Sequence, residues 1–313
     1  MVVDIDAGSS EDLGGLGMES FQKKCAHGRY VLALRLGFQF GVRSCHPCGV
    51  KSLARILGAL LLVGVVTTAL LLASGYSLAE LQHIGQPRNV LDDRGRDVPL
   101  PLPVGEPVRL LDEVPVTTAG EHGFITVDGE VPVRVDPCRP ATWVLSPEGM
   151  PPLAREQLDA AIADISARTG IQFEFMGETD ERAEFDRPIF QDRYGEGYAP
   201  IIVGWSDGST TSDLEGHVSG VGGSTAIPGA YGDQRFLRSG VVILDGPEME
   251  PLLASTAGAQ QVKAIMMHEL GHVLGLAHVA DASELMHETN DDQVTWGAGD
   301  LQGLAIAGAG PCE

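Results

Sequence analysis

The sequence predicts an α+β domain over residues 133–313, preceded by a helix able to cross a membrane. Three observations predict it. Past Val133, short strand-like apolar runs are interspersed with helix-compatible stretches. Between Arg55 and Tyr76 lies an apolar segment whose first 18 residues, Ile56 to Ala73, carry no formal charge. Near the C-terminal end, residues 268–278 read His-Glu-Leu-Gly-His-Val-Leu-Gly-Leu-Ala-His.

Residues 1–55 read as a leader without an obvious domain. They hold seven basic residues and five acidic ones, and all seven basic residues fall between Lys23 and Arg55. About 20 apolar residues cross a bilayer as helix, so residues 56–76 are expected either to anchor the chain or to act as a signal peptide cut near Ala73-Ser74-Gly75. The basic flank places the N-terminal side in the cytoplasm and residues 77–313 outside. The chain is then a single-pass cell-membrane protein with an extracellular C-terminal domain, or is secreted after cleavage. Of the 43 acidic and 21 basic residues, 38 and 14 follow Arg55. A body this acidic excludes nucleic acid as a natural partner.

Residues 77–132, with Pro99-Leu100-Pro101-Leu102-Pro103, show no sustained period and read as a stalk or propeptide-like linker. A strand pair around Phe124–Val127 and Val131–Val135 is expected, because Asp128-Gly129 favours a tight turn. Trp143-Val144-Leu145 is a strand. A helix follows from Leu153 to Thr169, with Leu158, Ala161, Ile162 and Ile165 as its apolar stripe and Gly170 as its stop. Residues 171–175 alternate as a half-buried strand should, and the unbroken apolar runs 201–205 and 241–244 read as strands buried on both faces. Glycine-rich residues 216–229 read as a loop on composition alone. Residues 257–267 are helix-compatible, with Val262, Ile265, Met266 and Leu270 on one face.

The run at 268–278 carries the chemistry. In a helix, His268 and His272 project one turn apart from the same face and reach one metal ion. Glu269 lies beside the first ligand, close enough to act on a water without occupying a coordination position. Gly275 lets the helix stop and the chain turn, which returns His278 to the same ion. Three protein ligands leave a fourth position open, the pattern of a catalytic zinc. Asp207, Asp213, Asp233 and Asp245 lie in loops where calcium can bind, but without the ligand order of an EF-hand they read as solvated turn carboxylates. Cys45-His46-Pro47-Cys48 lacks the second pair of a zinc site. Cys138 and Cys312, the only cysteines of the body, either bridge or stay free. A bridge in an oxidising compartment would be worth on the order of 4 kcal/mol.

With Met286 eight residues past His278, the sequence resembles the metzincin clan of zinc endopeptidases, and within it the matrixins. Glu284-Leu285-Met286 resembles their methionine turn, and residues 299–304 resemble the start of their C-terminal helix. More narrowly, the chain resembles a bacterial matrixin-like group whose domain opens with Pro-Cys-Arg-Pro and closes with Gly-Pro-Cys. The resemblance implies a metzincin-like catalytic domain with a twisted mixed β-sheet, an edge substrate strand and about three helices. It implies one catalytic Zn2+ held by His268, His272 and His278, with Glu269 as catalytic base and Met286 as the apolar floor. It also makes residues 218–226 the edge strand beside an extended protein or peptide substrate. Val279 stands where matrixins usually have serine, Glu288 where some metzincins carry a tyrosine, and no cysteine-switch motif precedes the domain. The function so implied is that of a zinc-dependent endopeptidase acting on extracellular proteins or peptides as a monomer. The alternatives are a membrane-tethered zinc-containing module that binds peptides without turnover, and a zinc hydrolase of non-peptide amides.

Overall fold

The computed structural model describes residues 30–33, 39–42, 50–73, 83, 85–216, 218–289 and 293–313. The chain divides into two units, Met1–Gln82 and His83–Glu313. In the first, strands β1 (Tyr30–Ala33) and β2 (Gln39–Val42) pair antiparallel, and helix α1 spans Val50–Ala73.

Among the described residues, no helix is long and apolar enough to cross a membrane. This corrects the expected membrane segment at 56–76, and with it the cell-membrane topology built on that segment. The physical reason lies in the short uncharged run, since the first turns of α1 carry Lys51 and Arg55. The uncharged part of α1 is the 18 residues from Ile56 to Ala73, about 27 Å of helix against a hydrocarbon core of about 30 Å.

In the second unit, a five-stranded mixed sheet positions everything that follows. Its strands are β7 (Ala141–Leu145), β8 (Phe173–Glu178), β9 (Ile201–Ser206), β10 (Gly220–Pro228) and β11 (Arg235–Asp245), in the spatial order β10-β11-β9-β7-β8. The inner pairs and β7–β8 run parallel, and β10 alone runs antiparallel to its neighbour, with Val221 opposite Ile243. The β-branched runs in β9 and β11 are central strands, buried on both faces as their composition requires.

Alternate side chains part to opposite faces. Trp143, Leu145, Val203, Val242 and Leu244 meet the helices. Val144, Ile202, Val241 and Ile243 form a second cluster with Leu214, covered by Ala183 and Tyr194 from the loop before β9. Helix α2 (Ala154–Thr169) connects β7 to β8 and buries Leu158, Ala161, Ile162 and Ile165, the stripe read from the sequence. It stops at Gly170, whose left-handed backbone (φ 65°) turns the N–H back to the Ser166 carbonyl. Strand β8 departs from the expected half-buried alternation. It is a sheet edge with Phe175 and Met176 exposed, and Arg155 stacks over the Phe175 ring.

Helix α3 (Gly246–Leu252), capped by the Asp245 side chain, was not foreseen. Helix α4 (Thr256–Val273), capped by Ser255, buries Val262, Met266 and Leu270 against α2 and the sheet. Helix α5 (Ala298–Gly308) packs on α2, and its Gly308 lies so close that an added Cβ would sit 1.8 Å from the Thr169 carbonyl oxygen.

Residues 85–132 lie against the body. Strands β3 (Val90–Asp92) and β4 (Asp97–Pro99) form a hairpin, Leu100 is fully buried, and Asn89 bonds the backbone at Gly229, Ala230 and Gly232. The expected hairpin near Asp128-Gly129 is present as β5 (Val127–Asp128) and β6 (Val131–Pro132).

The edge strand β10 reaches α4 only because its residues are small. A Cβ on Gly222 would stand 2.2 Å from the Glu269 carbonyl oxygen, whereas one on Gly223 would touch only the Phe185 ring at 3.4 Å. Gly222→Ala is therefore expected to lose about 1–3 kcal/mol of stability in chemical denaturation. Gly223→Ala should stay within about 1 kcal/mol, and equal losses in the two variants would contradict the close approach.

Candidate metal centre and active site

Helix α4 delivers His268 and His272 one turn apart, and the turn at Gly275 (φ 93°) brings His278 back from outside the helix. The three Nε2 atoms form a triangle with every edge 3.1 Å. Two of the rings have their tautomers set by carbonyl oxygens, which can only accept. His268 Nδ1–H donates to Leu285 O at 2.7 Å, and His272 Nδ1–H donates to Leu276 O at 2.8 Å. Their Nε2 atoms are then lone-pair acceptors aimed at one another, an arrangement that hydrogen bonds among neutral rings cannot satisfy.

A cation can satisfy it. A tetrahedral ion with nitrogen bonds of about 2.0–2.1 Å needs ligand edges of about 3.3 Å, close to the triangle observed. The residues thus fit a zinc ion. Burial also keeps the rings in the neutral, metal-binding form. It pushes His268 down to about 3, helped by its neighbour His272, and His272 down to about 4, helped by His278. His278, more exposed, is lowered by burial while Glu288 opposes the shift.

Glu269 points from α4 toward the edge strand, where a Cβ on Gly220 would meet its Cγ at 2.9 Å. It is only 6% exposed, and burial alone pushes its carboxyl up to about 8. Met286 lies under the helix between the two histidine turns. Gly271 leaves room for it, since a Cβ there would stand 2.7 Å from the Met286 Sδ.

Two buried carboxylates hold this methionine turn against α5, and the sequence reading missed both roles. Glu284 accepts from the Gly299 and Asp300 amides at the start of α5, each at 2.8 Å. Asp300 in return accepts from the amides of Leu285 and Met286 in the turn. Since Leu285 also supplies the carbonyl that orients His268, the pair acts on the metal site at one remove. The available signal was an acidic residue three positions past Gly297 at a helix start, where orphan amides need an acceptor.

Cys138 and Cys312 are disulfide-bonded across 174 residues. Val279 and Glu288, the departures from the matrixin pattern, leave the triad intact. The Val279 amide donates to Met286 O, and Glu288 is exposed. His287 turns its Nδ1 to the Thr289 backbone and takes no part in the cluster. His217 lies outside the described residues. Calcium finds no support. Asp207 is engaged by Ser209 and Thr210, and Asp245 caps α3. Among the described residues, the one other group of metal-ligand type is Asp136, Cys138 and Cys312, whose thiols are consumed in the disulfide.

Residues 181–305 match the family model for matrixin. This segment is matrixin-like. The match covers β9 to most of α5 and contains the triad, and it supports a zinc metalloprotease activity in general. No curated protein matches the chain. Among solved structures, the GM1-bound form of the ECX AB5 holotoxin aligns at 13% identity over 46% of this chain and 54% of that one, with a TM-score of 0.24. The chain thus spans about half the length of that relative. Archaemetzincin from Methanopyrus kandleri aligns at 14% identity over 55% of this chain and 87% of its own, with a TM-score of 0.29.

The raised Glu269 pKa makes a signed prediction for the matrixin-like domain stripped of metal. Between the ordinary value near 4.5 and the folded value near 8, the folded state holds a proton that the unfolded state releases. Stability therefore falls as pH rises through that window. Glu269→Gln, which cannot titrate, should melt higher than the unaltered chain by about 5 °C or more at pH 8.5, and by much less at pH 5. Thermal melts in chelator at the two pH values check this. A gap that does not widen with pH would contradict the burial assignment.

Proposed function

We propose that the chain is a zinc-dependent endopeptidase that hydrolyses peptide bonds of protein or peptide substrates, with Glu269 as its general base. The observation that carries this reading is the convergence of three imidazole Nε2 atoms beside a buried carboxylate and an open sheet edge. His268, His272 and His278 would hold the ion. Bound there, zinc supplies Lewis acidity toward the scissile carbonyl and makes a water easier to deprotonate.

The protein's own groups do the rest. Among the described residues, strand β10 has no neighbouring strand on its outer side, so an extended peptide can lie along it and bring a backbone carbonyl to the triad. The Glu269 carboxylate takes the proton of the attacking water and passes it to the departing amine nitrogen. In the metal-free chain burial raises this carboxyl, and a carboxylate so placed can accept a proton and give it up again. Met286 and the buried Glu284–Asp300 pair keep the floor of the site dry and fixed. The Cys138–Cys312 bridge supports residence in an oxidising compartment. A module that merely binds peptides would have no use for a carboxylate buried at this cost.

Glu269→Ala should retain zinc and fold while its turnover of an unstructured protein falls about 10²–10⁴-fold. His272→Ala should lose zinc and activity together. Metal analysis of purified variants alongside a cleavage assay, with and without chelator, checks both, and a fully active Glu269→Ala would refute the base assignment.

A further inference from the structure

The third histidine is the least secured of the ligands. His268 and His272 are fixed by their helix and by carbonyl acceptors, whereas His278 lies beyond the helix and is exposed. Among the described residues, no hydrogen bond tethers its Nδ1. The backbone on which it rides is held instead by residues 120–125, from the stretch that reads as linker in the sequence.

Phe124 and Leu276 form an antiparallel bridge. The Ile125 amide donates to Gly275 O and the Ala277 amide donates to Gly123 O, both at 2.9 Å. Three residues past His278, the Asp281 amide donates to the Glu121 carboxylate at 2.8 Å. The turn bearing His278 is thereby pinned on both sides. The same bridge brackets Leu276, whose carbonyl orients His272, so one short strap bears on two ligands.

The strap is itself seated on α5. A Cβ on Gly299 would fall 1.9 Å from the Glu121 carbonyl oxygen, and the Gly120 amide donates to the Gln302 side chain at 3.1 Å. Strap, His278 turn and methionine turn therefore share one support, since α5 also holds Leu285 and Met286 through Asp300.

We propose that residues 120–125 are a positioning element of the metal centre, with Glu121 as its key side chain, and that they belong to the working domain and not to a removable leader. The inference rests on the metal reading of the triad. An outer partner of a metal ligand typically affects affinity 10–100-fold. Glu121 acts one step further away, through the backbone, so the lower end is expected.

The test is zinc affinity of the full chain, measured by competition with a chromophoric chelator, together with amide exchange at Ala277 and Asp281. Glu121→Ala should weaken zinc about tenfold and speed exchange at Asp281. Glu121→Gln, whose amide oxygen still accepts, should stay within about twofold. Ile125→Pro, which removes the N–H donated to Gly275, should weaken zinc in the same direction; if it does not fold, the two Glu121 variants decide alone. Unchanged affinity and unchanged exchange in Glu121→Ala would overturn the proposal. A loss in Glu121→Gln equal to that in Glu121→Ala would also overturn it, because charge and not the hydrogen bond would then be responsible. Failure of the unaltered chain to bind zinc would be a different result, defeating the metal reading itself and this inference with it.

Discussion

Three imidazole Nε2 atoms facing one another across 3.1 Å, with two of them held as lone pairs by backbone carbonyls, is the constraint on which the rest of the structure depends. The two fixed lone pairs repel each other, and one N–H from His278 cannot serve both at once. The fold nevertheless enforces the arrangement from several directions. His268 and His272 are buried enough to stay neutral far below their ordinary pKa, and both are turned by backbone carbonyls so that Nε2 faces inward. A chain that maintains such a cluster without a cation would carry an unrelieved cost, so the cluster is best understood as one half of an interaction whose other half is a metal ion.

The surroundings follow from the need to hold that geometry. Helix α4 must be rigid, and it is, with Val262, Met266 and Leu270 sealed against α2 and the sheet. The turn after it must leave the helix abruptly, and Gly275 permits a backbone that a residue with a Cβ would resist. The methionine turn must supply a carbonyl to His268 from beneath, which is why two carboxylates are buried to fasten it to α5. Buried acids are costly unless their oxygens are satisfied, and Glu284 and Asp300 are satisfied by amides at a helix start and in a tight turn.

Most of the site was legible because its chemistry is local. His268, Glu269, His272, Gly275 and His278 fall within eleven residues; helix periodicity places the first three, and the glycine turn places the last. The stripe on α2 and the stop at Gly170 were legible for the same reason. What escaped was non-local. Nothing in residues 120–125 announces that they will bridge to Leu276, because the partner lies some 150 residues away. Glu284 and Asp300 look like ordinary surface acids until the fold brings two sets of orphan amides to them. Strand β10 could be placed only by resemblance, since Gly220, Gly222 and Gly223 disfavour a strand on their own. Gly220 and Gly222 let the strand approach Glu269. The uncharged run at 56–73 misled in the other direction, because its composition resembles a membrane span more than its length supports.

The central claim is that one zinc ion is bound by His268, His272 and His278. X-ray absorption at the zinc edge on the purified full chain addresses it without reference to activity. The account predicts one zinc per chain with three nitrogen neighbours at about 2.0–2.1 Å and imidazole scattering beyond them. A metal-free protein at neutral pH, or a zinc surrounded by sulfur, would contradict it.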